Sequence, residues 1–236
     1  HPSLGTALRA ATTRAITGPG TSNSGDTAVT RVDIVFHSIT GTTAELAAAV
    51  QRGAAGVPGV EARKLEIVGA DIAAGRYDKP ALLDALDAAD AIIFGSPTYM
   101  GGVTAQLKAF IDASSEKWQS QRWADKLAAG FTVGANLSGD QLSALQYLQT
   151  FACQHGMLWV GLDLPGNADT PNGNLLGAQS GLIAHATGGE LAGEYRQTAA
   201  YLGRRVATLA TRFALPRQGA GQRGGDGAQG FADRID

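Results

Sequence analysis

The 236-residue chain contains a single cysteine, Cys153. That excludes an internal disulfide framework and any Cys-x-x-Cys metal or redox site, and cytoplasm is the expected compartment. No apolar run approaches the ~20 residues of a membrane helix, so no membrane insertion is expected. Charge of one sign is lacking too. With 19 basic and 21 acidic residues the net charge is -2, which offers no basic stripe for nucleic acid. It also lacks the strong acidity expected of many small electron carriers. The four histidines, at positions 1, 37, 155 and 185, show no metal-ligand spacing.

What is present is a core-forming middle between two poor ends. Residues 1–30 are rich in Thr, Ser and Gly, with Arg9, Arg14 and one acid, Asp26. They read as a disordered extension, with a transit segment as the alternative. Residues 214–236 follow the last apolar stripe and are dominated by Gly, Gln, Arg and Asp, so they read as a disordered tail. One domain is expected over 31–213.

Strand-like and helix-like stretches alternate through that domain. Strands are expected at 31–37, 60–68, 90–95, 127–133 and 157–162, each short and rich in apolar or β-branched residues. Helices are expected at 44–53 and at 80–89, where Pro80 opens the first turn. A third carries Val103, Leu107, Phe110 and Ile111. A fourth has Ser138 as its cap and Leu142, Leu145 and Leu148 on its face. The last runs from Leu191 to Phe213. The stretch 163–189 reads as irregular. Five strands with alternating helices predict an α/β fold with a doubly wound parallel sheet, whose ligands bind at the carboxyl ends of the strands.

Two loops at those ends stand out. Ser38-Ile39-Thr40-Gly41-Thr42-Thr43 joins the first strand to the first helix. Hydroxyls, a glycine and free amides at a helix N-terminus suit a phosphate dianion without Lys or Arg. An ordinary helix cap has the same composition. The loop is neither a Gly-Lys-[Ser/Thr] phosphate loop nor a GxGxxG turn. The second loop, Gly95-Ser96-Pro97-Thr98-Tyr99-Met100-Gly101-Gly102, has small residues that admit a flat ring and a tyrosine face for stacking. A rigid βα turn is the plainer reading.

The run from Ala91 to Gly102, its continuation Gln106-Leu107-Lys108-Ala109-Phe110-Ile111-Asp112, the run Lys126-Leu127-Ala128-Ala129-Gly130-Phe131, and His155-Gly156-Met157 resemble the flavodoxin-like NAD(P)H:quinone oxidoreductases of the tryptophan-repressor-binding-protein group. The resemblance spans about residues 31–213. It implies a flavodoxin-like sheet of order 2-1-3-4-5, noncovalent FMN, NAD(P)H as electron donor, a quinone-type acceptor and a homo-oligomer, either dimer or tetramer. It places the phosphate on Ser38, Ile39, Thr40, Gly41, Thr42 and Thr43. It places the ring along Pro97, Thr98, Tyr99, Met100 and Gly101, and under the loop Thr132, Val133, Gly134, Ala135, Asn136 and Ser138. Gln154 is then flavin-adjacent, where the family often has a first histidine. Trp118 and His155 fall in the substrate pocket.

The segment Gly69–Lys79 is shorter than in that group. Other readings concern single residues. His37 is expected to pack at the end of its strand, Cys153 to be inert in the core, and His185, in the irregular segment, to reach a neighbouring subunit's site. The alternative function is an electron-transfer flavodoxin without NAD(P)H activity. An apo scaffold and a reductase of free flavin are further possibilities, the last weakened by the absence of an arginine in the first loop.

Overall fold

The computed structural model describes residues 29–166 and 173–213. The expected extensions, 1–30 and 214–236, lie outside the described residues apart from Val29 and Thr30. Thr30 already belongs to the first strand.

The chain begins with β1 (Thr30–Phe36), α1 (Thr42–Ala55) and β2 (Val60–Glu66). A 3-10 turn, Gly69–Asp71, leads into a small antiparallel hairpin of β3 (Ile72–Ala73) and β4 (Arg76–Tyr77). Then come α2 (Pro80–Leu86), β5 (Ala91–Pro97), α3 (Ala105–Ala113), α4 (Ser115–Gln119) and β6 (Leu127–Gly134). The chain continues with α5 (Gln141–Gln154), β7 (Leu158–Trp159), β8 (Leu182–Thr187), β9 (Glu190–Leu191) and α6 (Gly193–Phe213).

The main sheet has the order β2-β1-β5-β6-β8-β9, and β7 also pairs with β6. All pairs but the β8–β9 hairpin are parallel. This is the expected doubly wound order with its fifth strand split in two. β7 covers the start of β6, in register Leu127↔Leu158, and β8 covers its end, from Phe131↔Leu182 to Gly134↔His185. The expected strand at 157–162 therefore stops early. Leu162 N–H already bonds the returning segment at Gln179 O, 2.8 Å. The stretch 163–189, expected to be irregular, supplies β8, which ends at the tight turn leading into β9.

Two apolar layers sandwich the sheet. Val32, Ile34, Phe36, Ile93, Ala129 and Phe131 face α1 and α6. Val35, Ile92, Phe94 and Ala128 face α2, α3 and α5. The central strands are buried on both faces, which is why their sequences read as continuous apolar runs. Edge strand β2 is half-exposed and alternates. Asp33, fully buried on β1, is held by two hydrogen bonds from Arg63 of β2, at 2.8 and 2.6 Å.

Local differences have physical reasons. Helix α5 is capped at Asp140, with no side-chain bond, so Ser138 lies in the loop. Its buried stripe is Gln141, Ala144, Leu145, Leu148, Phe151 and Ala152. Leu142 and Cys153 fall off that stripe and are exposed, against the expectation that both are buried. Leu191 belongs to β9, and α6 buries Tyr195, Ala199, Leu202 and Val206.

Candidate functional site

The strand order reverses between β1 and β5: β1 leads outward to β2, while β5 leads to β6 on the other side. The loops leaving the carboxyl ends of β1, β5 and β6 therefore lie side by side. A parallel sheet opens a crevice at such a point.

At β1, His37 N–H bonds Gly95 O at 3.1 Å and its Nδ1 donates to Ile67 O at 2.6 Å. His37 is buried and packed there, as expected. The chain then turns through Gly41, whose φ of 93° is a left-handed conformation that a side chain would strain. Helix α1 starts at Thr42, two residues earlier than its sequence pattern indicates. Ser38 Oγ accepts from Ala44 N–H at 3.2 Å, so Ser38 caps the helix across the loop. The amides of Thr40, Gly41, Thr42 and Thr43 meet no protein acceptor among the described residues. Thr43 Oγ1 is buried and also lacks a partner. A buried hydroxyl without a hydrogen bond is costly. With four unpaired amides at a helix N-terminus beside it, the donor set fits a phosphate.

At β5, Ser96 Oγ accepts from Thr104 N–H at 3.0 Å and donates to Pro97 O at 2.8 Å. Tyr99 and Gly102 exchange backbone bonds of 3.0 and 2.9 Å, which closes a tight turn. Its tip is Met100 (φ 48°) and Gly101 (φ 74°). Met100 is fully exposed and Tyr99 is exposed. Thr98 N–H bonds Val133 O at 2.9 Å, and the Thr98 and Thr132 hydroxyls share a bond of 2.7 Å. Gly95 makes room for the side chain of its partner on the neighbouring strand: a Cβ there would lie 2.1 Å from the Phe131 ring.

At β6, the loop from Gly134 to Asp140 faces that turn. Thr98, Met100, Gly101, Gly134, Ala135, Asn136, Gly139, Asp140 and Ser143 line an open cavity of about 630 Å³, within the size range of cofactor sites. Ser143 Oγ donates to Gly101 O and joins the two sides. Gln141, almost fully buried, donates from Nε2 to Asn136 O at 2.6 Å.

The structure thus brings together Thr98, Met100, Gly101, Gly134, Ala135 and Asn136. Thr132 and Val133 lie beneath the cavity as buried strand residues. Sequence reading missed Gly139, Asp140 and Ser143. Asp140 was visible as a polar residue just before an apolar helix. Ser143 carried no signal, because only the crossing of α5 over the β5 turn gives it a role.

Three expected site residues lie elsewhere in the chain. Trp118 is on α4, and Gln154 and His155 are at the end of α5. Helices in this fold run back from the carboxyl edge, so their ends precede the next strand at the amino edge. Eight-residue β6 separates the two edges by roughly 25 Å. Gln121 Nε2 bonds both Trp118 O and Gln154 O, at 2.9 and 3.1 Å, which places them together there. His155 is buried, stacked on Trp123 with ring centroids 4.5 Å apart, and bonded to Ser114 Oγ at 3.0 Å. Burial pushes its pKa down to about 4. It is a neutral core histidine of this chain and not a wall of its cavity.

The fold and the carboxyl-edge crevice define a flavodoxin-like protein. The NADPH-dependent FMN reductase family matches residues 37–164, and the chain belongs to that family. It is 34% identical over 196 residues to an NAD(P)H dehydrogenase (quinone) of Archaeoglobus fulgidus, which covers 78% of this chain and 98% of the relative. It is 45% identical over 107 residues to flavodoxin FldP of Pseudomonas aeruginosa, 44% of this chain, and spans 58% of that protein. The crystal structure of a flavodoxin, WrbA-like protein from Agrobacterium tumefaciens superposes with a TM-score of 0.62 at 39% identity. It covers 78% of this chain and 98% of that one.

Proposed function

We propose that this chain is an FMN-dependent oxidoreductase that passes electrons from NAD(P)H to quinone-type acceptors. One observation carries the reading: unpaired amides and the orphaned Thr43 hydroxyl stand at a helix N-terminus at the strand-order switch, on the same sheet edge as the β5 and β6 loops that line the cavity. Family membership and the quinone dehydrogenase relative support the activity.

Bound FMN would supply hydride chemistry at its N5. The protein's task is to bind, orient and exclude water. Ser38 to Thr43 would hold the phosphate through amides and hydroxyls without a formal positive charge. Pro97 to Gly101 and Gly134 to Ser138 would flank the ring, with the Thr98–Thr132 bond fixing one wall to the strand beneath. Nicotinamide and quinone would use one position over the ring in turn. Residues 31–213 would form the FMN-binding domain. With one cysteine and no disulfide, cytoplasm is the proposed compartment, and among the described residues no helix is long and apolar enough to cross a membrane.

Trp118 and Gln154 sit at the amino edge, so they can serve a flavin only on another copy. A homo-oligomer is proposed on that ground, and sedimentation of a monomer at micromolar concentration contradicts it. Steady-state kinetics with NADH or NADPH and a benzoquinone tests the activity. Failure of both nicotinamides to reduce the flavin sinks it.

The identity to flavodoxin FldP favours a second reading, an electron carrier. Redox titration separates the two: a single two-electron step supports the oxidoreductase, and two resolved one-electron steps support the carrier.

A further inference from the structure

The split fifth strand brings an unassigned side chain to the carboxyl edge. β8 pairs with the second half of β6, and its register sets His185 opposite Gly134, the first residue of the cavity loop. His185 is half-buried. Its Nε2 lies 3.1 Å from Ala135 O, and a carbonyl only accepts, so this nitrogen carries the proton and donates. From the other side Gln141 Nε2 occupies the next carbonyl, Asn136 O.

Two consecutive carbonyls of the loop are therefore taken by side chains. The amides of Asn136, Leu137, Ser138 and Gly139 meet no protein acceptor among the described residues. A loop with its carbonyls tied and its amides free is a donor surface. It suits a ligand edge rich in acceptors, such as the pyrimidine edge of an isoalloxazine ring. Preorganised donors aimed at such an edge favour its more electron-rich, reduced form.

We propose that His185 is a positioning residue for the flavin ring: by holding Ala135 O it sets the loop so that its amides are available to the cofactor. This rests on the FMN reading above. The role asks only for a side-chain N–H of the right reach. Glutamine can replace it and alanine cannot.

The test uses the full chain stripped of flavin and titrated with FMN by fluorescence, followed by measurement of the midpoint potential of the loaded protein. His185→Ala is expected to weaken FMN binding about tenfold, the size of one lost hydrogen bond to a preorganised loop, and to make the potential more negative. His185→Gln is expected to recover most of both. The proposal is overturned if His185→Ala leaves affinity and potential as in wild type, or if His185→Gln shifts both as far as alanine does. Wild-type protein that takes up no FMN overturns the cofactor reading itself, and with it any role of His185 toward the ring. Binding by wild type with no response to either substitution overturns the His185 role alone.

Discussion

Thr98, the first residue after β5, and Thr132 of β6 share a hydroxyl–hydroxyl hydrogen bond of 2.7 Å. Thr132 is fully buried and Thr98 borders the cavity, so the bond ties the cavity wall to the sheet. Thr132→Val keeps the volume and removes the partner. The expected loss is about 1 kcal/mol of stability, with weaker FMN binding, read by urea denaturation and flavin titration. Unchanged affinity would show that the wall needs no such tie.

Thr43→Val tests the phosphate end. The Thr43 hydroxyl is buried and unpartnered, so the apo protein loses no protein hydrogen bond with it. Apo stability is expected to stay within about 0.5 kcal/mol or rise slightly. FMN affinity is expected to fall about tenfold while riboflavin affinity stays level, because only FMN carries the phosphate. An equal loss for both ligands contradicts the assignment of this loop.

Gly95→Ala tests the packing of the Phe131 ring over β5 beneath the site. The added methyl would stand 2.1 Å from the Phe131 ring, itself fully buried. A cost of about 1–3 kcal/mol is expected from overpacking, measured by urea denaturation. A variant as stable as wild type would mean that the ring has room to retreat.

His155 makes stability depend on pH. Its folded pKa is pushed down to about 4 from the ordinary 6.5 by burial. The unfolded chain therefore takes up the proton first as pH falls. The contribution of neutral His155 is complete above 6.5 and is lost progressively between 6.5 and 4. His155→Gln is expected to flatten that part of the profile, followed by urea denaturation across the range. A slope in this window that survives the substitution assigns it to another group.

The strand and helix alternation, and with it the carboxyl-edge site, were legible because central strands of a parallel sheet carry uninterrupted apolar runs. The Ser38–Thr43 loop was legible as composition, but that Ser38 caps Ala44 while Thr43 is left without a partner depends on the turn at Gly41. The split of the fifth strand was not legible. Residues 157–162 and 182–187 are both apolar and strand-like, and only the competition for one edge of β6 gives two residues to the first and six to the second. The amino-edge position of Trp118, Gln154 and His155 was implicit in the sequence: each lies at or near the end of a helical stretch that precedes a strand, which in this winding puts it opposite the loops.

The most direct test is a spectrum of the purified protein after addition of FMN, followed by anaerobic NADH or NADPH and then a benzoquinone. The expected result is stoichiometric uptake of FMN, loss of the visible flavin absorbance on adding one of the nicotinamides, and its return on adding the quinone. A protein that takes up no FMN, or whose bound flavin neither nicotinamide bleaches, contradicts the proposed function.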